Sequence, residues 1–390
     1  MKIDKRNYRH WYILICSGIF ALIGVVLRPF RRRREPLVVL YGHKLNGNLK
    51  AFADYLQHSS ANQGKYTVAY ATLDPQYYPE VKAQNPNMEI LSMRSLEDMI
   101  KISRASVIIT SHGLHTLVLL KALTNIKFVN VWHGIGWKGH NPKEFSFLKG
   151  YAENWVSSPA FKGIYKNVFK IQSPAYVTGY ARSDEAVNGN FSVPDIKKKY
   201  NISPKYKKIV LVAPTWEQGH GQHSIYPFGL SAEQFFTALN DAGKRLGGLV
   251  IFRSHLNSKT AELPEGLDNL VLMPYSKYPV VEDFLYMADV LVSDWSSIVF
   301  DYLPLKRPVV FLDVPSPYKR LCFDAKYRFG ARASSAEELT ESIQRYADDP
   351  GAYKKKYAKN VREATEVGYG DTLDGMSAKR YHQRLSLIHI

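Results

Sequence analysis

Four stretches of this sequence carry side chains suited to handling phosphates and protons, and each closes an apolar, β-branched run. Val131-Trp132-His133-Gly134 leads to Lys138-Gly139-His140. A histidine at a glycine-flanked strand end has an unhindered ring and a near-neutral reference pKa, which suits a general base acting on a hydroxyl. The same residue also reads as a structural histidine capping a turn. Ala213-Pro214-Thr215-Trp216 places a threonine and the following amides where they could meet phosphate oxygens, although proline and threonine are also ordinary turn chemistry. Arg253-Ser254-His255 presents a guanidinium fork and an imidazole together, a plausible phosphate clamp or a solvated loop. Ser293-Asp294-Trp295-Ser296-Ser297 runs into a helical pattern containing Phe300-Asp301-Tyr302, so two serines open a helix whose N-terminal amides attract anions. Plain N-capping explains one of those polar residues but not the whole set.

The elements that must position these residues follow from the periodicity. Strands are expected at Leu37 to Tyr41, Tyr66 to Ala71, Ser106 to Thr110, Phe128 to Trp132 and Trp155 to Ser157. A second series is expected at Ile209 to Ala213, Leu249 to Phe252, Val290 to Ser293 and Val309 to Leu312. Helices are expected around Ala232 to Gly243, Val281 to Ala288 and Ala336 to Ala347. Alternating strands and helices imply an α/β fold of two doubly wound parallel sheets. The boundary falls near residue 190, giving a first lobe of 36–190 and a second of 191–390, with the last helix a candidate to pack back on the first lobe. In open α/β sheets ligands bind beyond the C-terminal strand ends, which is where all four motifs fall.

Residues 1–35 read differently. Trp11 to Leu27 holds no charge, while residues 1–36 carry nine Lys/Arg against Asp4 and Glu35. A helix of that length spans about 25 Å, a little short of the ~30 Å hydrocarbon core, so it reads as a short or shallow membrane anchor. No small-residue cleavage site follows Leu27, which argues against a cleaved signal; a buried core helix is the other reading. Arginines 31 to 34 beside the large domain would hold that domain on the cytoplasmic face of the cell membrane.

The 390 residues exceed a single core of roughly 250–300, in line with two lobes. Hydrophobic content of 45% and charged content of 22% exclude disordered and fibrous classes. Cys16 and Cys322 form neither a disulfide framework nor a metal spacing. The net charge of +17 would fit a polyanion partner, yet nothing resembles a nucleic-acid-binding motif, so no nucleic acid is expected. The flanks of the apolar segment instead point to anionic membrane lipids. No Asp-x-Asp cluster is present, so no tightly bound metal is expected, though Mg²⁺ arriving with a nucleotide is compatible. His220-Gly221-Gln222-His223 lacks a third ligand for a metal and reads as a loop that could cover a donor.

Taken in order, Trp132-His133-Gly134 with Lys138, Ala213-Pro214-Thr215-Trp216, Arg253-x-His255, Ser293-Asp294-Trp295-Ser296-Ser297 with Phe300-Asp301-Tyr302, and Arg307-Pro308 resemble the CDP-glycerol glycerophosphotransferases. These are the primases and polymerases of teichoic acid and related capsule polymers. The resemblance covers roughly Leu37 to Tyr381 and implies two Rossmann-like lobes of glycosyltransferase-B type, with the acceptor on the first and CDP-glycerol on the second. It departs at Ile135-Gly136, where the family usually carries Thr-Pro, at Ser254 and Leu256, where it carries prolines, and at Trp295, usually a tyrosine.

What the resemblance implies is transfer of glycerol phosphate to a hydroxyl of an undecaprenyl-diphosphate-linked saccharide, with CMP released. His133 would be the base, and His255 with Arg253 would stabilise the pyrophosphate. Gly134, Lys138, Thr215, Ser296 and Ser297 would complete the substrate contacts, while Asp294 and Asp301 would orient the loop or bind donor hydroxyls. A CDP-ribitol or other polyol-phosphate donor, and a nucleotide-sugar glycosyltransferase of the same fold, are the alternatives.

Overall fold

The structure, a computed structural model, describes residues 6–30, 35–59, 65–139, 142–215, 225–254 and 262–388. His255, the His220 to His223 loop, Trp216, His140 and arginines 31 to 34 lie outside the described residues. The chain divides into two compact units. Unit 1 comprises Met1–His133, Asn141–Asp184 and Asp371–Ile390; unit 2 comprises Gly134–His140 and Glu185–Gly370.

Unit 1 is built on β1 (Leu37–Tyr41), β2 (Thr67–Thr72), β3 (Glu89–Ser92), β4 (Val107–Thr110), β5 (Lys127–Asn130), β6 (Glu153–Val156) and β7 (Ala175–Val177). They form one sheet in the order β3-β2-β1-β4-β5-β6-β7 with every pair parallel. All five residues of β1 and all four of β4 are buried, as expected of central parallel strands covered on both faces. The strand order reverses between β1 and β4, which makes the crevice at their C-terminal ends the topological switch point.

The connecting helices are α1 (Tyr8–Leu27), α2 (Gly47–His58), α3 (Tyr77–Gln84), α4 (Leu96–Ser103), α5 (Leu117–Leu123) and α6 (Pro159–Asn167). The polar caps are local. Ser95 Oγ accepts from Asp98 N at the start of α4, and Ser158 Oγ accepts from Phe161 N at the start of α6.

Helix α1 packs on α4 and α5 along its length. Its inner face is Ile13, Ser17, Ala21 and Gly24, small enough for close approach. Ser17 Oγ and Thr116 Oγ1 share a hydrogen bond of 2.7 Å, and Ser103 Oγ donates to the Gly24 carbonyl at 2.8 Å. A β-carbon on Gly24 would stand 3.0 Å from the Ser103 side chain, so this contact requires glycine or a shift of its neighbour.

The segment Ser377–Leu387 is the last helix of the chain, and it belongs to unit 1. Ala378, Tyr381, Leu385 and Ile388 enter the same core as Phe52, Tyr70 and Trp155. Tyr381 lies 4.8 Å from the Trp155 ring and 5.5 Å from Phe52, and Asp184 accepts from the amides of Ser377 (3.0 Å) and Ala378 (2.7 Å).

Unit 2 contains β8 (Ile209–Val212), β9 (Leu249–Phe252), β10 (Leu270–Leu272), β11 (Val290–Ser293), β12 (Val309–Leu312) and β13 (Ala331–Ala333), ordered β10-β9-β8-β11-β12-β13 and again parallel throughout. Here the order reverses between β8 and β11. The helix Ala232–Arg245 opens with a full capping box: Ser231 Oγ accepts from Gln234 N, and Gln234 Oε1 accepts from Ser231 N.

Gly134–His140 groups with unit 2, although the sequence reading places it in the first lobe. The reason is Trp137, a fully buried indole whose ring lies 5.2 Å from Phe300, 5.8 Å from Trp295 and 6.2 Å from Phe323. The backbone locks alongside: Gly139 N donates to the Arg320 carbonyl (2.8 Å) and Cys322 N to the Trp137 carbonyl (2.9 Å). Burial pushes the Cys322 thiol up to about 12, so it is a packing group rather than a nucleophile.

Candidate active site

In unit 1 the polar residues gather at the switch point. Chain leaving β5 turns sharply through Trp132, at φ +50°, and Gly134, at φ +149°. A tryptophan in the left-handed region is strained, and such strain persists only where the surroundings over-determine it. They do so here. Asn48 Nδ2, on α2, donates to the carbonyls of Val131 (3.0 Å) and Trp132 (3.3 Å), Trp132 N donates to Asn130 Oδ1 (3.1 Å), and Arg182 Nη1 donates to the His133 carbonyl (2.8 Å).

The His133 ring itself is exposed yet oriented. Its Nδ1 lies 3.0 Å from the Ser111 carbonyl at the end of β4. A carbonyl can only accept, so Nδ1 carries the proton and Nε2 is the lone-pair nitrogen, the tautomer a base requires. The ring of His112 is stacked on it with centroids 4.5 Å apart and planes 9° apart, and the Trp132 indole lies 4.3 Å away.

Two further histidines complete the group. His43, just beyond β1, lies 4.4 Å from His112 and 5.7 Å from His115. His115, at φ +48°, pairs its Nδ1 with the Tyr41 hydroxyl at 2.6 Å. Burial, and then the neighbouring imidazoles His133 and His43, hold His112 well below the ordinary histidine range, and burial holds His115 down to about 4. Both are therefore neutral near pH 7. Sequence reasoning picks out His133 but misses His43, His112 and His115; Ser111-His112 follows β4 as directly as His133 follows β5, so the strand-end signal was present for it too.

In unit 2 the corresponding switch point, between β8 and β11, brings Thr215 and Asp294 together. Asp294 Oδ1 accepts from Thr215 Oγ1 (2.6 Å), Thr215 N (2.8 Å) and Trp295 N (2.6 Å), and both residues are buried. Thr215 was expected to offer these donors to a phosphate; the structure commits them to a carboxylate instead. Asp294 thereby ties two strand-end loops together through one buried carboxylate oxygen. Ser293 Oγ adds a bond to the Ala213 carbonyl at 2.7 Å.

Ser296 and Ser297 follow, half-exposed, ahead of a helix that is only Ile298–Tyr302 and continues as a 3-10 turn. So short a helix has little dipole, and what these serines offer an anion is their hydroxyls and nearby amides. Asp301 sits half-buried within that helix. Lys138 is half-buried in unit 2, bridged through its backbone to Leu321.

Arg253 is buried at the end of β9, with its guanidinium 4.6 Å from the Phe284 ring and 5.6 Å from Tyr275. Nη1 donates to the Met273 carbonyl (3.2 Å), while Nη2, also buried, has no hydrogen-bond partner among the described residues. Burial lowers this arginine to about 10, so it keeps its charge at neutral pH. A buried cationic donor without an acceptor calls for an anion.

Two open parallel sheets, each with its reactive side chains at the switch point, define an α/β protein of the ligand-handling, doubly wound class. Within that class the assignment is specific: residues 24–385 match the profile of CDP-Glycerol:Poly(glycerophosphate) glycerophosphotransferase, and the chain belongs to this family. Among its relatives, the teichoic acid poly(glycerol phosphate) polymerase of Bacillus spizizenii is 26% identical over 331 residues, covering 78% of this chain and 79% of the relative. The teichoic acid glycerol-phosphate primase of the same organism is 29% identical over 226 residues, covering 54% and 56%. Among solved structures, the wall teichoic acid polymerase TagF soaked with CDPG is similar with a TM-score of 0.73 at 16% identity, covering 95% of this chain and 93% of that one.

Proposed function

We propose that the protein transfers glycerol phosphate from CDP-glycerol to a hydroxyl of a lipid-linked saccharide in the synthesis of teichoic acid or a related surface polymer. The acceptor oxygen attacks the β-phosphorus and the bond to CMP breaks, CMP leaving with the electron pair. The hydroxyl proton passes to His133 Nε2. The observation that carries this reading is the seat of His133: an exposed imidazole, its tautomer set by the Ser111 carbonyl, on a backbone held in strain by Asn48 and Arg182. A positioned base of this kind contributes ~10²–10⁴-fold.

Donor handling falls to unit 2. The Nη2 of Arg253, without a hydrogen-bond partner among the described residues, supports a role for that guanidinium on a phosphate oxygen, with Ser296 and Ser297 as further donors. Gly134, Lys138, Asp301 and His255 keep their proposed substrate-side roles. Any Mg²⁺ is expected to arrive with the nucleotide. The apolar α1, with anionic lipid around its basic flanks, supports a place on the cytoplasmic face of the cell membrane.

The test is CMP release by the purified protein given CDP-glycerol and an undecaprenyl-diphosphate-linked saccharide, with CDP-ribitol as competing donor. Turnover with CDP-glycerol is expected, and His133→Ala should lose ~10²-fold or more of kcat while still binding CDP-glycerol by calorimetry. No CMP from either donor would end this reading; turnover with CDP-ribitol alone would change the polyol.

A further inference from the structure

The histidines of unit 1 exceed what a single base needs. Two of the polar groups of Ser111 meet imidazoles: its carbonyl accepts from His133 Nδ1 at 3.0 Å and its Oγ pairs with His112 Nδ1 at 2.8 Å. One residue at the end of β4 thus fixes two rings, and it fixes them nearly parallel, 4.5 Å apart. The groups facing His112 are His133 beyond β5, His43 beyond β1 and His115 in its own loop, with the Tyr41 hydroxyl behind His115. The Ser111 bonds fix where the two rings sit, and the 9° between their planes lays the face of His112 over His133.

Resting on the reading of His133 as the base, we infer that His112 is its positioning residue: a neutral ring stacked face to face on His133, which holds it in register and stabilises the imidazolium formed when it takes the hydroxyl proton. The face of a neutral aromatic ring is electron-rich and attracts a cation laid over it. The pair then carries one proton, and it resides on the exposed ring. Because ring planes and Nδ1 bonds are both fixed before the substrate arrives, little reorganisation accompanies proton transfer.

The experiment compares His112→Phe, which keeps a ring face, with His112→Ala, which does not, measuring kcat, KM and the pH profile of kcat. His112→Ala is expected to lose about 10–100-fold in kcat, the scale of a misplaced reacting group. Its KM for CDP-glycerol should stay within about twofold, and the acid limb of its profile should move to lower pH. His112→Phe is expected to recover most of the loss and restore the acid limb. A wild-type profile for His112→Ala, or His112→Phe as impaired as His112→Ala, overturns the inference. His133→Asn run in parallel separates the two readings. If it is inactive while His112→Ala is normal, only the present inference falls; if it is active, the base assignment falls. An imidazole ¹⁵N titration of the wild-type protein decides the matter without variants: His133 must show the Nδ1–H tautomer and take up its proton before His112, and the opposite order refutes the pairing.

Discussion

At the scale of the residue, burial has set the protonation of unit 1. His115 is held to about 4 by burial, against an ordinary value near 6.5, and accepts the Tyr41 phenol, whose own proton burial makes harder to remove. A histidine with a depressed folded-state pKa binds fewer protons folded than unfolded. Its contribution to stability is therefore whole above about pH 6.5, falls as pH drops toward about 4, and changes no further below that. Each unit of depression corresponds to about 1.4 kcal/mol. Melting temperature should fall between pH 7 and 4.5, and His115→Asn, which tolerates the φ of +48°, should flatten that fall; equal slopes in the two proteins would contradict it. His133 was readable in the sequence because a glycine-flanked strand end advertises itself. The Thr215 to Asp294 bonds were not, because they join residues on two different strands, and one sequence records no pairings.

Elements were legible in proportion to their burial. Every central strand of both sheets was foreseen within a residue or two, whereas β3, β7, β10 and β13 were not. All four are edge strands that are only partly buried, so they lack the continuous apolar run that marks the central strands of similar length. Helix α1 was read as an apolar segment, either a short or shallow membrane anchor or a buried core helix. With Ser17 and Gly24 bonded to unit 1, the helix lies along α4 and α5, and its outer face presents Trp11, Ile15, Ile19, Leu22 and Val26 to the exterior. Val26 is 68% exposed, and Val118 on α5 extends the same apolar character. An exposed apolar face of this kind is what a side-on contact with a bilayer, of the interfacial-helix type, would require. Replacing Ile15 and Ile19 together by Glu should cut sedimentation with phosphatidylglycerol vesicles by roughly 100-fold or more, since each buried isoleucine is worth about 1.5–3 kcal/mol. Unchanged binding would remove α1 from the membrane contact.

Across the whole molecule, chain length and the alternation of strands and helices gave the two-lobe plan, with the division expected near residue 190; the units part between Asp184 and Glu185. Gly134–His140 escaped it, since an apolar tryptophan does not say which core it will enter, whereas the last helix was read as a candidate to pack back on the first lobe, the unit that Asp371–Ile390 joins. The last helix carries a consequence for biogenesis. Phe52 and Trp155 precede the Glu185–Gly370 segment of unit 2 in the chain, yet the ring that covers both, Tyr381, is synthesised only after it. Arg384, paired with Glu153, arrives later still. A chain ending just before Ser377 should therefore be digested within residues 35–184 by a protease concentration that spares the full protein; resistance equal to wild type would disprove it. Translation order thus delays the first lobe: its core stays unclosed until the whole of Glu185–Gly370 has been made and Tyr381 and Arg384 have followed it.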